Sequence, residues 1–389
     1  MSAGAADVVV IGAGIVGTAT AAMLADRGAS VVLVESEAVA AGASGRNSGV
    51  VQHPLDPVLA DLHRETLRLY RDLEADGDDD FRLGDAPAGL LYVSTDDLAV
   101  RPLAAALAES HPELRPELVE DDDLQRLEPA LARGLVACRL AIGYPVAPAS
   151  ATRAYALLAE RRGVRVVVGD AARLAVEDDR VVGVTVRGRL VPAAAVVVAA
   201  GPWTPAIIDP RGVWQPIRAL WGVVAQVSLD APPRHVLEEA EIDTTIEPGG
   251  DAHKERGDDR GVSFSLVTAG ELSAVGSTFL DDEPETAPWA ARVVAHAARF
   301  VPAIATARVD ATRRCARPLS FDGRPLVGAV PGVAGLFVAA GHGPWGISTG
   351  PASARLVADA ALDPATEIPP ALDPARYPVP PGAAPVPPS

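Results

Sequence analysis

Lysine is almost missing: of 34 basic residues only Lys254 is one, and the rest are arginines. Few lysines are therefore available for catalytic roles. Cysteine is also scarce, with only Cys138 and Cys315. One pair is no disulfide framework, no spacing suggests zinc, and so no metal site is expected; a reducing compartment fits. Long apolar runs are lacking. The longest, such as residues 191–201, fall far short of the roughly 18 residues that span a bilayer. The first strand begins by Asp7, with no charged and apolar leader before it, so a cytoplasmic protein without stable membrane insertion is expected. Positive charge is outnumbered, 34 basic against 51 acidic residues, for a net charge of −17. Such a surface repels phosphate backbones and anionic lipid, which makes nucleic acid an unsuitable partner.

What is present suits a soluble globular chain. Its 389 residues make one large domain or two to three ordinary ones, and 49% hydrophobic content allows a sizeable core. Residues 7–12 form a short apolar run, 15–27 an alanine-rich helix closed by Gly28, and 30–35 a second strand. This is a β-turn-α-β pattern within about 30 residues. Residues 59–73 carry apolar side chains at helical spacing. An acidic stretch at 74–80 reads as a surface loop, 88–94 as a strand, and 95–140 as mostly helical with loops. The α/β character returns with a helix at 151–162 and strands at 164–168, 180–188 and 193–201. Residues 215–280 are strand-rich around a Gly/Asp/Arg-rich loop at 248–261. A helix is expected at 289–299, a strand at 334–341 and a helix at 347–361. The proline-rich tail from Asp363 should be extended or disordered.

The turn Gly12-Ala13-Gly14-Ile15-Val16-Gly17 follows a strand and opens a helix, the context in which GxGxxG is informative. Gly12 permits the tight turn, Gly14 lets a diphosphate approach the backbone and the helix N-terminus, and Gly17 lets helix pack closely on strand. Glu35 ends the second strand, 18 residues after Gly17. A carboxylate there can accept both ribose hydroxyls and would repel a 2′-phosphate. A second loop, Gly42-Ala43-Ser44-Gly45-Arg46-Asn47-Ser48-Gly49, is more than a plain NAD domain needs. It suits a flavin, whose ribityl chain and ring edge want amides and hydroxyls along one side.

These pieces, with Ala199-Ala200-Gly201-Pro202-Trp203-Thr204, Arg317-Pro318, Asp322 to Gly328 and Gly341-His342-Gly343-Pro344-Trp345-Gly346, resemble the D-amino acid oxidase superfamily of flavoenzymes. The resemblance covers about residues 6–377. It implies FAD as cofactor, and an α/β fold in which a Rossmann-type FAD-binding domain is interleaved with a mainly antiparallel-sheet substrate domain. The expected division is 1–75, 141–215 and 305–370 for the FAD-binding domain, 76–140 and 216–304 for the substrate domain, and 371–389 for the tail. Cofactor contacts are expected from Gly12, Gly14, Ile15, Val16, Gly17, Glu35, Ser44, Arg46, Asn47, Ser48, Gly49, Ala172, Ala200, Gly201, Trp203, Gly341, Gly343, Gly346, Ile347 and Ser348.

The family oxidises a C–N or C–O bond by hydride delivery to flavin N5, while the protein positions the substrate. The resemblance places Arg317 where glycine oxidase-like members clamp a substrate carboxylate, for which a guanidinium fork is suited. An ion pair is the plainer role, since Arg313 and Arg314 are neighbours. His342 would lie at the flavin pyrimidine edge or act on substrate; a structural role is equally open. His53, with Gln52, could reach the substrate side and serve as general base for a hydroxyl proton. Cys315 has the same offset from Asp322 as the flavin-linked cysteine of monomeric sarcosine oxidase, and nearby arginines would lower its pKa. Pro344 and Ser348 replace an arginine and a lysine of particular members, which puts simple glycine or sarcosine activity in doubt and leaves open O2 or another electron acceptor. The expected substrate is a small anionic or zwitterionic amine or amino acid. A 2-hydroxy acid or polyol phosphate is the alternative, and a flavin-binding subunit without turnover a third reading.

Overall fold

The computed structural model describes residues 5–76, 81–240 and 261–377, and two large sheets organise it. In the first, Leu336–Ala340, Arg189–Val198, Ala6–Ile11, Val31–Glu35 and Arg165–Val168 lie side by side and parallel. Leu326–Ala329 adds an antiparallel edge. Ala6–Ile11 is buried at every position except Asp7, as a strand covered on both faces must be. The helix Ile15–Asp26 is buried from Ile15 through Leu24. Its alanines, glycine and threonines are small enough for neighbours to pack on all sides. The helix Gly346–Leu362 comes close enough that a Cβ on Gly350 would stand 3.1 Å from Val16.

The second sheet runs in the order Arg308–Ser320, Ile217–Ser228, Leu272–Thr278, Val262–Ala269, Val236–Glu239, Leu90–Ser94, Val136–Leu140, Glu117–Glu120. All neighbours are antiparallel except Val236–Glu239 with Leu90–Ser94. The architecture is the expected one, a Rossmann-type α/β unit beside a mainly antiparallel sheet. The long strand Arg308–Ser320 pairs throughout with Ile217–Ser228. We therefore propose that the last FAD-binding segment starts after Ser320, rather than at 305.

Two expectations are corrected. Residues 95–140 hold the expected helices, Asp97–Ser110 and Asp121–Leu127, but Glu117–Glu120 and Val136–Leu140 are strands of the second sheet. Both are short, and exposed Glu117 and Arg139 interrupt the apolar pattern; Glu117–Glu120 is the edge, while Val136–Leu140 pairs on both sides. The tail is not loose from Asp363. Leu372 is buried and its carbonyl accepts from Val327 N–H, while Trp214 Nε1 donates to the Tyr377 carbonyl. Arg376 forks onto Asp322 and also donates to the carbonyls of Arg324 and Pro325. The acidic loop at 77–80, most of the loop at 248–261 with Lys254, and the tail beyond 377 lie outside the described residues. Among the described residues no helix is long and apolar enough to cross a membrane.

Burial alone would raise the Asp322 pKa, but hydrogen bonds from Arg376 and from the Arg324 amide outweigh it and hold the carboxyl below its ordinary range. Arg376→Ala should cost about 1–2 kcal/mol in urea denaturation at neutral pH. The cost should shrink as acid protonates Asp322. The variant should also expose the segment 363–377 to limited proteolysis.

Candidate active site

One cavity of about 570 Å³ runs from the Gly12–Gly17 turn to the Gly343–Ser348 turn, between the two sheets. At its first end Gly12 has φ +104°, and a Cβ there would stand 2.5 Å from the Ala199 carbonyl oxygen. Gly17 faces the Gly12 carbonyl, so it shapes the turn and does not line the cavity. Gly14 starts the helix without a side-chain cap, and no acidic residue occupies the first turn. Ser44 Oγ accepts from Ile15 N–H (2.9 Å), and the amides of Val16 and Gly17 come before any helical acceptor. Glu35 accepts from Ala13 N–H (2.7 Å), Glu37 N–H (2.9 Å) and Ser36 Oγ (3.2 Å). A carboxylate offers about four acceptor sites, so three bonds leave room for about one ribose hydroxyl bond rather than two.

The second loop is wound by its own side chains. Asn47 Nδ2 donates to the carbonyls of Ala43 (3.1 Å) and Ser44 (2.7 Å), and its Oδ1 accepts from Gly49 N–H (2.8 Å). Both amide protons of Asn47 are spent on the loop, so its part in holding a cofactor is to set the loop's shape. Ser44, Ser48 and Gly49 line the cavity, as do Ala172, Ala200, Gly201 and Trp203. Arg46 does not; it turns to Glu37 (3.3 Å).

At the far end, Gly341 shapes the turn from outside the lining, and Gly343–Trp345 leads into the helix Gly346–Leu362. That helix also starts without a side-chain cap or an acidic first turn. Tyr70 OH donates to the Ile347 carbonyl (2.7 Å) and Gln52 N–H to Ser348 Oγ (2.9 Å), which fixes the turn from behind. His342 lines the cavity, is 2% exposed, and its Nε2 has no partner among the described residues. Burial lowers its pKa to about 4, so the ring is neutral at neutral pH.

His53 is not in the cavity. Its ring packs edge-on against His63 at 5.2 Å, behind the wall that Gln52 forms. Gln52 lines the cavity and His53, the next residue, does not. Gln52 Nε2 donates to Glu238 Oε2 across the cavity (3.1 Å).

The second sheet supplies the remaining wall from Val224, Glu238, Ser265, Val267, Ser277, Cys315 and Arg317. Phe264 is core, stacked on Phe300 at 4.5 Å, and neither it nor Trp221 lines the cavity. The three neighbouring arginines separate by role. Arg314 turns out to Glu283 and Thr286. Arg313 donates to the carbonyls of Arg46 (3.3 Å) and Asn47 (3.0 Å) and to Gln226 Oε1 (2.8 Å), tying the second loop to the second sheet. Arg317 faces the cavity. Its Nη1 donates to the Thr278 carbonyl (2.9 Å), Nη2 to Ser277 Oγ, and Cζ lies 4.8 Å from the Phe279 ring centre. No carboxylate pairs with it among the described residues. Burial lowers its pKa, yet a guanidinium stays charged. Cys315 sits beside it, buried. The expected lowering of its pKa is overturned: burial pushes the thiol up and outweighs Arg317, Arg313 and Arg46.

The sequence reading did not single out Ser277, Thr278, Phe279, Glu238 or Gly222. Nothing in their residue types marks them; only the pairing of strands far apart in sequence brings them to Arg317 and Gln52.

His63, like His342, is buried and has a pKa lowered to about 4, by burial first and then by His53. Both rings refuse protons that the unfolded chain takes up at its ordinary value of about 6.5. Stability should therefore fall as pH drops from about 6.5 towards 4, and be pH-independent above that window as far as these groups are concerned. His342→Gln and His63→Gln should each flatten the slope of melting temperature against pH.

Comparisons with known proteins agree with this geometry. The chain is 28% identical to YurR, an uncharacterized oxidoreductase of Bacillus subtilis, over 379 residues, covering 92% of this chain and 96% of that one. It is 30% identical to glycine oxidase of Pseudomonas aeruginosa over 203 residues, 52% of this chain and 50% of that protein, so the match spans about half of that enzyme. Among solved structures, iminodiacetate oxidase from Chelativorans sp. BNC1 superposes with a TM-score of 0.79 at 22% identity, over 98% of this chain and 100% of that one, which is a likeness of fold. The family model described as FAD dependent oxidoreductase matches residues 7–360. By that match over most of its length, the chain belongs to the DAO family of FAD-dependent oxidoreductases.

Proposed function

We propose that the chain oxidises the C–N bond of a small amino acid or N-substituted amine that carries a carboxylate. The observation that carries this reading is Arg317, a cation in the cavity wall whose partners among the described residues are neutral oxygens. A carboxylate can supply the missing charge and form two parallel N–H···O bonds.

The donor set fits FAD. Glu35 would hold the ribose, and the helix start at Gly14, with the Val16 amide, the diphosphate. Ser44 and Ser48 would hold the linking chain, and the turn Gly343–Ser348 the ring edge. The bound flavin supplies the two-electron acceptor at N5. The protein's own task is then to bind, orient and exclude water. Arg317 fixes the carboxylate. Val224, Val267 and Phe279 give the cavity apolar walls. The amides of Gly346 and Ile347, at a positive helix end, favour negative charge beside them. His342 is held neutral and presents a ring nitrogen without moving a proton at neutral pH.

The 2-hydroxy acid alternative asks for a base that takes a hydroxyl proton. His53, the residue expected for that task, lies outside the cavity, and burial makes the neutral His342 ring a weak base. An amine whose proton has passed to solvent needs no such base. This favours C–N over C–O oxidation. The match to glycine oxidase and the fold shared with iminodiacetate oxidase point the same way. The electron acceptor, O2 or another, and a cytoplasmic location are part of the same proposal.

Anaerobic flavin bleaching over a panel of D-amino acids, N-methyl amino acids and 2-hydroxy acids tests the reading; bleaching by hydroxy acids alone would replace it with the alternative. Arg317→Ala should raise KM for carboxylate-bearing amines by about 30-fold or more, since a charge-assisted bond is worth roughly 2 kcal/mol or more, with a smaller change in kcat. The buried Cys315 thiol is held protonated, which works against the thiolate chemistry a flavin bond needs. Acid precipitation should therefore release all flavin into the supernatant; a yellow pellet would establish a covalent link.

A further inference from the structure

Arg317 does not reach the cavity from its own strand directly. It leaves Arg308–Ser320, passes over the neighbouring strand Ile217–Ser228 and ends on Leu272–Thr278, one strand further, where Ser277 and the Thr278 carbonyl receive it. The crossing point is Gly222. A Cβ there would stand 2.5 Å from Nη1 and 2.6 Å from Cζ and would also collide with Nη2. Gly222 is not among the residues with positive φ, so the backbone does not ask for glycine; only the space does. Thr278 stitches both sides of the gap, because its Oγ1 accepts from Val223 N–H (2.9 Å) and donates to the Trp221 carbonyl (3.2 Å). Phe279 supplies a ring face against Cζ. The guanidinium has five N–H donors. Two are taken by Ser277 and Thr278, which leaves three for a ligand.

We infer that Gly222 and Ser277 are positioning residues: they hold the Arg317 guanidinium where it meets the substrate carboxylate, and so set specificity for carboxylate-bearing substrates. The inference rests on the reading of Arg317 given above and extends it. A side chain at 222 collides with the free end of a flexible arginine rather than with backbone. The arginine therefore yields while the strand stays. The expected result is a folded, FAD-loaded protein whose cation is displaced.

The test uses the FAD-loaded full chain and propionate as probe, with binding followed by the change in flavin absorbance. Arg317→Ala should lose propionate affinity. Gly222→Ala should lose about tenfold or more, with its melting temperature nearly unchanged. In the Arg317→Ala background, Gly222→Ala should change affinity by less than about twofold, because the group it displaces is gone. Ser277→Ala should weaken binding by about three- to tenfold, and Ser277→Thr, which keeps the hydroxyl, should restore most of it. In turnover, these variants should raise KM for carboxylate-bearing amines by more than they lower kcat.

The inference is overturned if Gly222→Ala binds propionate like the parent, or loses the same factor with and without Arg317. Should Gly222→Ala fail to take up FAD, the Ser277 pair decides by the same readout. If Arg317→Ala itself binds propionate normally, the reading of Arg317 as the carboxylate cation fails. That outcome is distinct from a failure of Gly222 and Ser277 to position it.

Discussion

Two helices start on one cavity, at Gly14 and at Trp345, without side-chain caps and without acidic residues in their first turns. The amides there have no acceptor within the helix and need one. A molecule with a diphosphate near one end and carbonyl acceptors near the other answers that need, and FAD is such a molecule. Much of the fold serves to keep these two ends open and facing. Gly12 and Gly17 let the first helix sit tight on its strand, Asn47 winds the second loop, and Tyr70 and Gln52 hold the Gly343–Ser348 turn from behind.

Arg313 couples the second sheet to that cleft, beside apolar packing that includes Ile217. Arg313 binds the carbonyls of Arg46 and Asn47, so the second loop is fixed to the sheet that carries the substrate wall. Arg317, four residues on and therefore on the same face, is left to the cavity. The lysine-poor composition suits this work, since a guanidinium can serve several carbonyls at once and stay charged when buried. Burial sets the other titrating groups: His342 is kept neutral and Cys315 a thiol, although cations stand nearby.

The nucleotide half of the site was legible in the sequence because its parts are local. A strand, a glycine turn and a helix within thirty residues define their own geometry, and the strand-end glycines near 201 and 341 punctuate it. The far half of the cavity was only partly legible. Resemblance singled out Arg317 and His342, and both line the cavity. His53 was misplaced because no local signal records which of two adjacent side chains, Gln52 or His53, the fold turns inward. The strands Glu117–Glu120 and Val136–Leu140 were missed because they are short and exposed Glu117 and Arg139 break the apolar pattern. The tail was misjudged because proline content records stiffness and says nothing of what Leu372 and Arg376 dock against.

The sequence by itself determined the family, the cofactor class and the two glycine loops, since those depend on backbone conformation and short-range spacing. The tertiary structure alone decided which of three consecutive-looking arginines meets the cavity, which histidine does, and that Gly222, Ser277 and Thr278 form the seat of the guanidinium. The reason is physical. These residues stand 39 to 95 positions from Arg317 in the chain, and no local propensity records which strands will pair or in what register.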